Sequence, residues 1–134
     1  MGLDECVAAI ERFRRACVDH TLVVAAFLGG SYAAGRARAE SDLDVYLITE
    51  PGDYAAFLED RVRFMRSWGQ PTHLEDVWDF EGLGFDMIVF ELGDGVEGEL
   101  ALGTTENYMQ MHGGPHDVVV DKTGVLDGVT FPLL

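Results

Sequence analysis

The chain has 134 residues, 48% of them hydrophobic and 25% charged. That is ordinary globular usage, which excludes disorder and a collagen-like fibre and leaves enough chain for one hydrophobic core. Nine Lys plus Arg against 24 Asp plus Glu give a net charge of −15, a field that repels nucleic-acid backbones and attracts cations. Apolar runs such as residues 22–28 fall far short of the ~18 needed for a membrane helix. The first fifteen residues mix acids into their apolar stretch, unlike a signal peptide. These readings predict one soluble, cytoplasmic domain over residues 1–134, with no membrane partner.

Leu3, Val7, Ile10, Phe13 and Cys17 recur at steps of three and four, predicting an amphipathic first helix. Cys6 and Cys17 sit about 16 Å apart along it, too far to bridge, and are read as buried free thiols. Residues 22–28 form a short, wholly apolar run expected of a strand buried on both faces. Gly29-Gly30-Ser31 ends it, a short Ala-rich helix is expected over 32–38, and a second strand over Leu43–Thr49. Asp53 reads as the N-cap of a helix over 54–67 whose apolar stripe is Phe57, Leu58, Val62 and Met65. Strands are expected over 73–80 and 85–92, joined by Glu81-Gly82-Leu83-Gly84. Residues 93–98 read as a Gly-rich acidic loop, and 99–112 give no clear pattern. A further strand is expected over 117–122, and then an apolar stretch to Leu134. Trp68, Trp78, Phe57 and Phe90 are assigned to the core. Lys122 reads as a hairpin-end lysine in preference to a nucleotide contact, and the four histidines show no metal-site spacing beyond the loose pair His112 and His116. Strands and helices mix without strict alternation, which predicts a mixed sheet with helices on at least one face.

The chemistry concentrates in residues 29–48. Asp42 and Asp44 open a strand two residues apart, so their side chains share a face. Two carboxylates held together beside a buried sheet repel each other and call for a divalent cation, and hard oxygen donors suit Mg²⁺. Upstream, Gly29-Gly30-Ser31 joins an apolar strand to a helix start, where glycines admit close approach and free N–H groups favour an anion. Arg36 is placed either to contact phosphate or to pair with Glu40 four residues on. A phosphate cradle followed by a metal-binding pair is the minimum equipment for metal-assisted transfer of a nucleotide phosphoryl group.

Gly30-Ser31, ten residues, then Asp42-Leu43-Asp44, flanked by apolar strands and with Ser41 before the first aspartate, resembles the signature of the DNA polymerase β-like nucleotidyltransferase superfamily. Within it, the chain is most similar to antibiotic-nucleotidyltransferase-like and minimal nucleotidyltransferase domains. The resemblance is sharp over 29–44, looser over 1–92, and adds little beyond. It implies an α/β (α+β) nucleotidyltransferase fold, a mixed sheet flanked by helices. It also implies two Mg²⁺ ions (Mn²⁺ as a substitute) on Asp42 and Asp44, with Gly30 and Ser31 on the β- and γ-phosphates. A third carboxylate is implied on a later strand; Asp86, heading Phe85-Asp86-Met87-Ile88, matches it and is preferred to Glu91, with a role at the catalytic metal and in deprotonating the acceptor.

The implied reaction moves AMP from ATP, or another NTP's monophosphate, to a hydroxyl of a small molecule such as an aminoglycoside-like antibiotic, releasing pyrophosphate. The acidic charge argues against a nucleic-acid acceptor. Two alternatives stand beside this reading: a minimal nucleotidyltransferase antitoxin that modifies a partner protein, and a non-catalytic nucleotide-binding module. Larger family members add a helical C-terminal domain. The apolar segment near 125–134 therefore predicts a homodimer or a helical partner burying it, or a longer parent chain.

Overall fold

A computed structural model describes residues 3–35, 42–82 and 84–132. Helix α1 (Leu3–Asp19) leads into strand β1 (Val23–Leu28), the single turn α2 (Gly30–Ala33), and strand β2 (Leu43–Thr49). Helix α3 (Tyr54–Trp68) follows, then β3 (Pro71–Val77), β4 (Asp86–Leu92), β5 (Glu97–Thr104) and β6 (Asp117–Asp121). The six strands form one mixed sheet in the order β3-β4-β5-β2-β1-β6. Only the β2–β5 pair is parallel, and the other four pairings are antiparallel. This is the helix-flanked mixed sheet of a nucleotidyltransferase fold. Among the described residues, no helix is long and apolar enough to cross a membrane.

Alternation along the strands sorts the side chains into two cores. One lies under α1 and α3, where Phe13, Phe57, Phe64 and Trp68 meet Leu43, Val45, Leu47, Ile88, Phe90 and Leu100. Burying Phe13, Phe57 and Phe90 completely stabilises the fold by about 1.5–3 kcal/mol each. The Trp68 indole N–H donates to Ala9 O at 2.7 Å, tying the end of α3 to α1. The second core covers the opposite face, where Phe27, Ile48, Met87 and Ala101 meet Met111, Leu126 and Phe131 from the chain after β5.

Several expectations change. The face α1 buries runs through Cys6, Ala9, Phe13, Ala16 and Cys17, while Val7 is 61% exposed. Small residues let the helix approach the sheet closely, a factor the large apolar stripe does not register. Val62 is likewise exposed, and Phe64 takes the inward position. Trp78 lies outside the core, 52% exposed, with the Arg61 guanidinium carbon 4.9 Å from its ring centre. A 3₁₀ turn over Pro51–Asp53 starts the α3 segment, and the Asp53 side chain makes no capping bond. The helix expected over 32–38 is, in its described part, the turn α2, and residues 36–41 lie outside the described residues.

The largest change is β5. Its Glu97-Gly98-Glu99 opening reads as loop in the sequence, yet Gly98 is where the backbones of β5 and β2 meet: a Cβ there would collide with Leu43 O. The C-terminal segment also differs from expectation. Leu126 and Phe131 are each 3% exposed, covering the second sheet face within the chain, so an uncovered apolar segment no longer argues for a partner.

Candidate active site

Glycines end β1, and the antiparallel register puts them beside the start of β2. Gly29 N–H donates to Asp44 O at 2.9 Å. Gly30 has φ +60, and a Cβ there would collide with the Asp44 carboxylate. Here glycine is required twice, by the left-handed backbone and by the lack of space. In α2 the carbonyls of Gly29 and Gly30 accept from Ala33 and Ala34, which leaves the amides of Gly30, Ser31 and Tyr32 without an intrahelical acceptor. Ser31 is half-buried beside them, and Tyr32 packs its ring against the helix-side core.

Asp42 and Asp44 stand at the same end of the sheet, Asp42 exposed and Asp44 half-buried. The parallel register sets Asp44 directly beside Glu99 on β5. Burial foremost, then the charges of Glu99 and Asp42, push the Asp44 carboxyl above its ordinary range. Glu97 and Glu91 face each other across β4–β5 at this end, and Glu97 is pushed up by Glu91 and by Asp42. Thr72 Oγ donates to Glu91 Oε1 at 2.6 Å.

Glu99 lines two small cavities. One, about 240 Å³, is acidic, with Asp42, His73, Glu91 and Glu97 in its wall. The other, about 210 Å³, carries Asp44, Tyr46, Phe80, Phe85 and Met111. A larger cleft of about 850 Å³ lies between α1 and α3 among Arg12, Arg15, His20 and Arg63, away from the carboxylates.

Asp86 does not join this group. Its rung pairs it with Leu102 and so with Leu47, three residues along from Asp44, about 10 Å at strand spacing. Strand parity also turns it to the helix side. There Tyr54 O–H donates to its Oδ2 at 2.6 Å, and the Asp79 amide to its Oδ1 at 2.7 Å. Leu102 O lies 2.9 Å from the same hydroxyl and shares its one proton, so Asp86 joins α3, β4 and β5. On β4 the rung of Asp44 and Glu99 is held by Val89. Glu91 shares the Asp44 face by the same parity. Sequence reading missed Glu99 because its strand was missed; the alternation Glu97, Glu99 against Gly98, Leu100 was the available signal. Arg36 and Ser41 lie outside the described residues.

The donor chemistry suits a hard cation. Asp42, Asp44 and Glu99 are all oxygen donors, and among the described residues no cationic side chain or hydrogen-bond donor is seen on the Asp44 carboxylate. The same residues contain no preassembled group of three metal-ligating side chains. A divalent ion bound here would draw these carboxylates together and remove their mutual repulsion.

Two comparisons bear on this arrangement. A family model described as a nucleotidyltransferase domain matches residues 10–92. Among curated proteins none matches the chain.

Proposed function

The chain belongs to the nucleotidyltransferase domain family, and from that premise we propose that it moves the monophosphate of an NTP, with ATP the first to test, onto a hydroxyl of a cationic small molecule, releasing pyrophosphate. One observation supports the reading: the left-handed Gly30 backbone is packed against the carboxylate of Asp44, which brings the proposed phosphate cradle beside the acidic strand.

In this proposal Asp42, Asp44 and Glu99 would hold Mg²⁺. Bound there, the metal neutralises phosphate charge and lowers the pKa of the attacking hydroxyl. The amides of Gly30, Ser31 and Tyr32, with the Ser31 hydroxyl, bind the β- and γ-phosphates and orient pyrophosphate to leave in line. Glu99 stands at the boundary of the two cavities, where it orients the acceptor hydroxyl and accepts its proton. The acidic cavity beyond it, with Glu91 and Glu97, favours an acceptor carrying ammonium groups, as an aminoglycoside-like molecule does. Asp86 fixes α3 against the sheet instead of binding metal.

The test is pyrophosphate release from NTP and Mg²⁺ by the purified chain with aminocyclitols, neutral polyols and protein hydroxyls as acceptors. Release that depends on an amine-bearing acceptor supports the reading. Release only with a protein acceptor would move it to protein modification. Nucleotide binding without turnover on any acceptor would leave a binding module.

A further inference from the structure

The family match ends at residue 92, yet a residue twenty positions beyond it reaches the glycine loop. His112 follows a 3₁₀ turn (Tyr108–Gln110) and is 7% exposed. Its Nε2 lies 2.7 Å from Pro115 O. A carbonyl can only accept, so Nε2 carries a proton, and in the neutral ring Nδ1 is then the acceptor. Nδ1 lies 3.2 Å from Tyr46 Oη, so the tyrosine donates to it. The Tyr46 ring in turn lies flat on Phe27, with centroids 4.6 Å apart and planes within 2°. Phe131 holds the other sides, 4.9 Å from Phe27 and 5.1 Å from His112.

These two rings form the floor under Gly29. A Cβ at Gly29 would lie 2.6 Å from His112 Cε1 and 2.8 Å from Tyr46 Cε2. The backbone there rests directly on imidazole and phenol. Asp44 takes the next position of the loop, through the Gly29 N–H bond and the packing against Gly30. The loop is therefore gripped on one side by the acidic strand and on the other by His112 and Tyr46.

We infer that His112 is a positioning residue for the phosphate cradle. Hydrogen-bonded to Tyr46, it fixes the Gly29–Gly30 backbone so that the amides and hydroxyl of Ser31 keep their phosphate-binding direction, and it touches neither phosphate nor metal. This rests on the nucleotidyl-transfer reading above. A histidine that merely filled the core would, when removed, lower stability without freeing this loop in particular.

Amide hydrogen exchange and nucleotide binding separate these roles. In H112A, exchange at the bonded amides of the loop, Gly29, Ala33 and Ala34, should rise selectively over that at 45–48 of β2. Affinity for Mg²⁺ with a non-hydrolysable ATP analogue should fall about tenfold, the equivalent of ~1.4 kcal/mol and within the range of a lost hydrogen bond. Mn²⁺ affinity without nucleotide should not change. H112N, which retains an acceptor near the Nδ1 position, should recover part of the loss. Y46F keeps both rings and removes only the hydrogen bond, so it carries the same test, with a smaller shift of the same sign, where H112A does not fold. Uniform loss of protection across the sheet, or nucleotide affinity equal to wild type in a folded variant, would overturn the inference. Wild-type protein that binds no nucleotide would instead refute the transferase reading, while the exchange comparison would still decide whether His112 holds the loop.

Discussion

Replacing Glu99 with glutamine should act in opposite directions with and without metal. Asp44 and Glu99 are neighbours across a parallel ladder, where strands run about 4.8 Å apart. Carboxylates roughly 6 Å apart repel by about 0.7 kcal/mol in water and about 2.8 kcal/mol at an effective dielectric of 20. Glu99 is exposed and Asp44 only half-buried, which sets the net near the lower figure, about 1 kcal/mol. Metal-free E99Q should therefore be more stable than wild type by about that amount at pH 7. The pH dependence follows in sign. Asp44 titrates above its ordinary range in the folded protein, so the native state holds its proton more tightly than the unfolded chain. Stability from this group is full below the unfolded pKa of ~3.9 and falls as pH rises through the raised value. In E99Q that fall should shrink, because one of its causes is gone. Adding Mg²⁺ should raise wild-type stability through linkage and raise E99Q much less. Asp86→Asn supplies the contrast: it weakens the hydrogen bonds from Tyr54 and Asp79, should cost about 1–2 kcal/mol, and should leave the metal response intact. Urea melts from pH 4 to 7, in chelator and in millimolar Mg²⁺, read all of this. Metal-free E99Q less stable than wild type at pH 7, or a metal response lost in D86N and kept in E99Q, would refute the assignment of the third carboxylate.

Three further substitutions test the scaffold and the cradle. Gly30→Ala forces a side chain into a left-handed position against Asp44; it should cost about 1–2 kcal/mol of stability and abolish nucleotide binding measured by calorimetry. Gly98→Ala meets the Leu43 carbonyl in the middle of the sheet, where backbone cannot yield, so thermal melts should show a loss of about 3 kcal/mol or more. Trp68→Phe deletes the indole bond to Ala9 O, and chemical denaturation should show a cost of about 1–2 kcal/mol with nucleotide affinity unchanged.

What the sequence discloses depends on how local the signal is. Glycine after an apolar strand and two aspartates on alternate positions are local patterns, and they mark the end of β1 and the start of β2. Strand β5 carries a weaker alternation at its start, Glu97 and Glu99 against Gly98 and Leu100, but the acidic, glycine-rich stretch before it looks like loop, and pairing with β2 on one side and β4 on the other makes it a strand. The third carboxylate shows the same limit. Asp86 matches by its place at the head of an apolar run, but which end and which face of the sheet it occupies is set by β5 standing between β4 and β2. Val7 and Trp78 were misplaced because hydrophobicity alone does not say which side of a helix or strand end finds a neighbour. The contribution of His112 was not legible either, since nothing local connects it to a glycine 83 positions earlier.

The interposed strand also constrains how the chain is made. Within the first 92 residues there are two separate antiparallel pairs, β1 with β2 and β3 with β4, and no ladder joins them. Strand β5 supplies both missing seams, and its partner β2 lies about two-fifths of the chain length before it. The β4–β5 seam closes over a short turn, but the parallel β2–β5 seam must close a long loop, and such non-local pairing forms slowly. A nascent chain emerging N-terminus first must therefore carry two unzipped halves, with the apolar flanks of β2 and β4 bare, until residue 104 is free. The span that identifies the family therefore lacks the strand that joins its two antiparallel pairs.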